Sequence, residues 1–392
     1  MSKKKHVKLE VPETPNAELI AQEKIDAGMF EKVAGDTIFD QAIEGEAIGF
    51  FKDAWLRFKK NKSSVVAGVI ILFIIFMAIF GPMMSPYHFR EQHTEFGTLP
   101  PRIPILENFG IFDGTMEMEL FEADAIEMGD AVKSIEKEFY WTYKNKQYKK
   151  VIARIDMYKY TGAEDHYFIF GTDNIGRDLF VRLWRGTRIS LLIGFVSVMI
   201  NCVIGVVYGS ISGYYGGKVD MIMQRFIEVL GGVPFLVMSI LFIMVLGAGV
   251  RSFILVLILT GWIGMSRMIR AQFYRYKDYE YVMASRTMGA RDRVLIFRHI
   301  LPNAIGPIIT QATFAVPSAI FSESFLSYLG LGIQAPEPSI GVLLAEGQRV
   351  LTTSPHLTLF PALIISLLMV CFNLFGNGLR DAFNPALRGV EE

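Results

Sequence analysis

Arg267–Asn303, RMIRAQFYRYKDYEYVMASRTMGARDRVLIFRHILPN, is a polar island between two apolar runs. From Asp278 to Met288 the chain is helix-compatible, and Gly289 supplies a position free to take positive φ. A second helical stretch from Arg291 is expected to stop where Pro302 cannot continue it. The island therefore predicts a helix-Gly-helix hairpin. Val282, Met283 and Arg286 share one side of its first arm. Val294, Leu295, Phe297 and Ile300 give the second arm an apolar stripe among Arg291, Arg293, Arg298 and His299. Such a stripe on a basic hairpin calls for a protein groove.

Outward from the island the chain is too apolar for an ordinary soluble protein: 52% of its 392 residues are hydrophobic and 31 are Phe. The zero net charge conceals crowding of charges into the first 62 residues, Tyr87–Arg188 and the island, and nothing reads as nucleic-acid binding. Cys202 and Cys371 both sit in apolar runs, so no disulfide framework is implied. The start, MSKKKHVKLEVPETP, has a basic cluster but no apolar segment behind it, so no cleaved signal is expected.

Residues 1–47 read as a solvated cytoplasmic tail. In 48–62, GFFKDAWLRFKK spaces Phe51, Trp55 and Phe58 on one helical face, as an interfacial elbow helix would. Its basic end leads into transmembrane helix 1, 63–83, long enough to cross the roughly 30 Å of hydrocarbon. Residues 84–188 read as a small α+β extracytoplasmic insertion: EMELFEADAIEMGDAVKSIEKEF is expected to be helical in part, and FYWTYKNKQYKKVIARIDMYKY a hairpin turning near Asn145. Five more apolar runs complete a core of 189–380: Ile189–Ser212, Phe226–Leu246, Phe253–Met265, Ala304–Leu326 and Leu357–Phe375. Six spans put both termini, the 381–392 tail and the island 267–303 inside, where the basic flanks lie. Pro234 and Pro317 are expected to kink their spans.

The island also carries a resemblance. Met283-Ala284-Ser285, Gly289 and Leu301-Pro302 stand at the spacing of the EAA loop of ABC-importer permeases, with Met283, Ser285 and His299 departing from the family's Glu, Ala and Ile. The Gly-Thr-Asp, Gly-Arg-Asp, Gly-x-Arg-x-Ser series from Gly171 to Ser190, SESFLSYLGLGIQAPEPSIGVLL and LFPALIISLLMVCFNLFGNGLRDAFNPALR resemble the C-type permease subunit of oligopeptide and dipeptide ABC importers. The resemblance implies an all-α polytopic membrane protein with six transmembrane helices of the type I importer permease fold. It implies a homologous second permease subunit, two cytoplasmic ABC ATPase subunits that bind ATP and Mg, an extracytoplasmic peptide-binding protein and a peptide substrate, all working in membrane lipid. Met283, Ala284, Ser285, Gly289, Ala290, Phe297, Leu301 and Pro302 would form the ATPase-coupling loop.

No catalytic motif is legible. The nearest approach to a phosphate-binding loop, SGYYGGKV, misses it at Ser212 and Val219; no H-E-x-x-H or G-x-S-x-G occurs, and the histidines are scattered. No metal site and no cofactor is expected in this chain. Polar groups at membrane depth remain, because burying them demands a partner or a watery path. Gln311, Ser322, Glu323 and Asn373 are candidates for a translocation path, with Ser324 and Asn201 beside them. The amides and hydroxyls read first as interhelical hydrogen bonds, whereas Glu323 fits equally well as the partner of an outer arginine. Asp220, Arg225 and Glu228 are expected to form an interfacial network. The leading expectation is a peptide-importing permease subunit. Its rivals are a permease for nickel or another small solute, a peptide-sensing receptor, and an anchor for a surface complex.

Overall fold

The computed structural model describes residues 49–144, 146–333 and 336–383. The expected tail 1–47, the turn residue Asn145 and the tail from residue 384 onward lie outside the described residues. Helix α1 (Phe50–Lys60) is the amphipathic elbow: Ala54 and Phe58 are buried against the last helix, while Phe51 and Trp55 stay exposed. Asn61 separates it from α2 (Lys62–Met84), accepting the Ser64 N–H on its side-chain oxygen at 3.2 Å.

The insertion holds β1 (Thr115–Phe121), α3 (Glu122–Glu127), β2 (Val132–Tyr143), β3 (Lys146–Asp156) and α4 (Met157–Thr161). The strands form an antiparallel sheet in the order β1-β3-β2. Glu117–Phe121, part of the stretch expected to be helical, is instead strand. Its acids hide a period of two, and Met118 and Leu120 join Val151, Ala153 and Ile155 in a small core closed by Ala125 and Ala131. Helix α3 is what remains of the expected helix.

Helix α5 (Leu179–Tyr215) begins at Leu179 rather than Ile189, because Asp178 caps it by accepting the Phe180 N–H at 3.0 Å. Arginines at its start are paired: Arg177, just before the helix, and the fully buried Arg182 meet Asp173 and Glu346, and Arg185 meets Glu337 at 2.9 Å. The third apolar run is two helices, α6 (Gly217–Gly231) and α7 (Phe235–Leu246), bent by 76° at a break that ends in Pro234.

Helix α8 (Val250–Tyr276) is far longer than the expected Phe253–Met265 and absorbs the polar island as far as Tyr276. Helices α9 (Glu280–Thr287) and α10 (Asp292–Val294) start the two arms of the hairpin. The second arm does not stop at Pro302. It passes through π-helical turns at Leu295–Ile300 and a 3-10 stretch at Leu301–Ala304 into α11 (Ile305–Leu326), making one helical run from Asp292 to Leu331. Pro302 stands in the first turn of the 3-10 stretch, where its missing N–H leaves no bond unmade. Pro317 sits inside α11 without breaking it. Helices α12 (Ile340–Gln348) and α13 (His356–Phe383) follow.

Among the described residues, five helical runs are long and apolar enough to cross a membrane, six if α6 and α7 are one bent span. Helix α5 lies along α8, and the approach is close because Gly205, Gly209 and Gly213 present no side chain to it. A Cβ on Gly209 would stand 2.4 Å from the Ser266 carbonyl oxygen, and one on Gly213 2.6 Å from the Phe273 Cβ. The hairpin, α1 and the ends of α5, α8 and α13 gather at one end of this bundle; the sheet and α12 lie at the other.

Candidate functional site

The hairpin is fastened to the α5–α8 pair by an apolar core and a few polar bonds. Val282 of the first arm and Leu295, Ile296 and Ile300 of the second pack with Tyr214, Met265, Ile269 and Phe273. The Tyr214 and Tyr215 hydroxyls donate to Asp292 at 2.7 and 3.3 Å, and the Arg286 guanidinium lies 5.5 Å from the Tyr214 ring centre. Asn303 donates to the Tyr281 hydroxyl at 3.0 Å and to the His299 carbonyl at 2.7 Å, tying the base of one arm to the other. Burial raises the Tyr281 phenol above its ordinary pKa.

Gly289 takes φ 85° and closes α9 with two bonds: its own N–H reaches Arg286 O at 2.9 Å and the Ala290 N–H reaches Ser285 O at 3.1 Å. This is the Schellman pattern, which needs a left-handed residue at that position and so favours glycine. The cap turns the chain sharply, and it leaves Met283, Ala284 and Met288 on the outer surface, Met288 at 80% exposure. Ser285 and Ala290 are half-buried, Leu301 is half-buried and Pro302 exposed.

The apolar stripe expected on the second arm does not form as drawn. Leu295, Ile296 and Ile300 turn inward, whereas Val294 and Phe297 face out, Phe297 at 55% exposure. An α-helical wheel misplaces them because the turns here are π-helical, with bonds to the fifth residue rather than the fourth. Phe297 and the two methionines thus form a discontinuous apolar surface on the outside of the hairpin.

Behind the hairpin a cavity of about 830 Å³ opens between α1, α8, α11 and α13, walled by Phe50, Phe51, Phe314 and Phe383 and edged by Gln272, Arg275, Asn303 and Arg380. A second cavity of about 360 Å³ shares Gln311 and Phe314 with the first and reaches Asn201, Thr260, Ser318 and Ser322. Gln311 and Ser322 therefore line cavities, as does Asn201, whose Nδ2 donates to Leu257 O at 3.2 Å while its Oδ1 has no partner.

Glu323 and Asn373 lie elsewhere. Glu323 is 0% exposed, and it accepts from the Ser190 and Ser327 hydroxyls at 2.8 Å each and from Ser324 at 3.4 Å. It contacts no arginine among the described residues, because Arg177, Arg182 and Arg185 are taken by Asp173, Glu346 and Glu337. Asn373 sits on the exposed side of α13 and donates to Met369 O at 2.8 Å within its own helix. The expected network of Asp220, Arg225 and Glu228 also divides: Asp220 pairs with Arg270 and Tyr274 of α8, and Arg225 and Glu228 form a separate exposed pair at 2.6 Å. Three features were not foreseen: the Asp220–Arg270 pair, the buried Arg182 cluster and the glycine stripe. Only the stripe had a local signal, three glycines at intervals of four.

Membrane-crossing helices packed on small residues, polar-lined cavities between them and a rigid hairpin at one end define a multi-pass membrane protein of the solute-permease class. More narrowly, the chain belongs to the family of binding-protein-dependent transport system inner membrane components, whose profile matches residues 205–389. Residues 49–101 match the N-terminal transmembrane domain of oligopeptide transport permease C. The chain is 38% identical over 366 residues to the oligopeptide transport system permease protein OppC of Bacillus subtilis, covering 93% of this chain and 99% of that one. It is 38% identical to the dipeptide transport system permease protein DppC of the same organism, over 88% of this chain and 89% of that one. To OppC of Escherichia coli K12 it is 32% identical, over 91% and 99%. Among solved structures it is similar to the MetNI methionine ABC transporter in an inward-facing conformation, at 18% identity and a TM-score of 0.44, over 52% of this chain and 96% of that one.

Proposed function

We propose that the chain is the transmembrane permease subunit of a bacterial ABC importer that takes up oligopeptides or dipeptides. It breaks no bond itself. ATP and Mg are bound by two cytoplasmic ATPase subunits; a homologous second permease completes the pore, and an extracytoplasmic binding protein delivers the peptide. The hairpin end is cytoplasmic and the sheet end faces out, with both termini inside, as the basic flanks of 213–225 and 267–303 suggest.

The observation that carries the reading is the hairpin. Its inner face is locked onto α5 and α8, while its outer face leaves Met283, Met288 and Phe297 without a partner among the described residues. Apolar side chains on a rigid polar element are a knob for a groove, and the ATPase surface is the groove this reading assigns. Closure of the ATPases then moves the hairpin, the bundle passes between two arrangements, and the Gln311–Ser322 cavities change the side to which they open. The test is co-expression with the partner subunits, purification in mild detergent, native mass spectrometry, and ATP-dependent peptide uptake after reconstitution. Two ATPases and one homologous permease per complex, with uptake of a labelled peptide, are expected. A chain that purifies without ATPases, or a complex that hydrolyses ATP yet takes up no peptide, would overturn the reading.

A further inference from the structure

The sheet at the outer end carries a surface that the transport mechanism leaves unused. Its register sets Phe121 opposite Lys150, Trp141 opposite Tyr148 and Tyr143 opposite Lys146, and residues paired across strands share a face. Phe121, Trp141, Tyr143 and Tyr148 therefore lie on one face, while the other is closed by the core beneath α3. The rings touch. Trp141 and Tyr143 stack with centres 5.3 Å apart and planes 5° apart, Tyr148 lies 5.9 Å from Phe121 and 6.1 Å from Trp141, and all four are exposed. The open face of a small antiparallel sheet is ordinarily polar, so an uncovered aromatic strip marks an interaction site.

We propose that this strip docks a folded, soluble protein whose contact surface is apolar at the centre and acidic at the rim. The proposal rests on the importer reading and names the extracytoplasmic binding protein as that partner. Charge decides the kind of partner. At the centre of the strip the Lys150 ammonium lies 4.8 Å from the Trp141 ring centre and 5.2 Å from that of Phe121, and Glu119 neutralises it at 2.7 Å. At the hairpin tip, Lys144 and Lys146 pair with no carboxylate among the described residues. Aromatic rings around a compensated charge, with unpaired lysines at the edge, have the anatomy of a protein interface and attract an acidic rim. A lipid surface fits less well, because the Glu119 carboxylate would be pressed against anionic headgroups or buried in acyl chains.

The experiment uses the whole importer in nanodiscs with its binding protein in solution. The double variant Trp141→Ala/Tyr143→Ala should weaken binding about tenfold or more, the size of loss expected when aromatic anchors are truncated. Lys146→Glu should slow association at low salt and lose most of that effect at high salt. Tyr140→Ala, exposed but on the other face, serves as the control and should bind like the wild type. Basal ATP hydrolysis should stay unchanged in all three, which separates a docking defect from misfolding. Wild-type affinity in the double variant would overturn the proposal, and so would a loss seen only in binding to phosphatidylglycerol vesicles, which would reassign the strip to lipid. A wild-type complex that ignores the binding protein counts against the importer reading itself and takes this proposal with it.

Discussion

Asp220 of α6 and Arg270 of α8 meet in a two-pronged ion pair, Nε to Oδ1 at 2.6 Å and Nη2 to Oδ2 at 2.5 Å. Ser212 and Tyr274 donate to the same carboxylate. The pair staples one limb of the bent third span to the long helix that holds the hairpin. Arg270→Ala leaves a carboxylate of which one tenth is exposed, and because Arg270 itself is one third exposed the cost should be roughly 1–3 kcal/mol, below that of a fully buried pair. Thermal unfolding in detergent reads this directly. Asp220→Asn/Arg270→Gln should recover part of the loss, and single and double variants of equal stability to the wild type would show the pair to be idle.

Gly289 tests the coupling role of the hairpin. With φ at 85°, a β-branched residue is strained there by roughly 1–3 kcal/mol, enough to disturb the turn between the arms without reaching the membrane core. Gly289→Val should insert normally, retain its ATPases and lose ATP-driven peptide uptake. Phe297→Asp makes an independent probe, since a charge in an apolar groove detaches the partner instead of misaligning it. Co-purification should therefore keep the ATPases in the first variant and lose them in the second; uptake at wild-type level in both ends the coupling role.

The glycine stripe yields a contrast within one pair of helices. Gly209→Ala places a methyl 2.4 Å from a backbone oxygen, so α5 and α8 must separate or shift, whereas Gly264→Ala meets nothing within 4 Å. The first should lower the melting temperature by several degrees and the second should not lower it. Equal melting temperatures would show that the two helices are free to move apart.

Glu323 bears on the translocation path. Its carboxylate joins α5 through Ser190 to the end of the fifth span through Ser327, and Ser190 also accepts the Ile340 N–H at 3.4 Å from the start of α12. Such a knot is structural, so Glu323→Leu should reduce abundance and uptake together, leaving transport per molecule unchanged. Gln311→Leu, in the cavity wall, should do the reverse. A selective loss of uptake at Glu323 would place the path through the knot.

Topology is open to direct labelling in a background without Cys202 and Cys371. A cysteine at Tyr140, exposed on the sheet, should react with an impermeant thiol reagent in intact cells, and one at Met288 should react only after lysis. The opposite pattern would invert the molecule. Ser339 suits this purpose poorly, because it is fully buried as the cap of α12.

What the sequence made legible follows from the range of each interaction. The spans and the Gly289 turn were readable because apolar length, basic flanks and the backbone freedom of glycine are local properties. Glu117–Phe121 misled because acidic composition outweighed a period of two in a segment only a few residues long. Arg182 finds one partner nine residues away in Asp173, but its second, Glu346, and the partner of Asp220, Arg270, lie far away in sequence, and no local pattern announces them. Phe297 was assigned to the correct arm and given the wrong neighbours, since π-helical turns leave no signature in composition.

The run from Asp292 to Leu331 changes its pitch three times before it reaches Gln311, from α to π-helical to 3-10 and back to α. These geometries advance by different angles per residue, so one turn passing into another rotates everything beyond it about the helix axis. On the importer reading, a push on Phe297 that moved one of these boundaries by a residue would reach the fifth span partly as torque, turning Gln311 and Ser322 around the wall instead of sliding them along it.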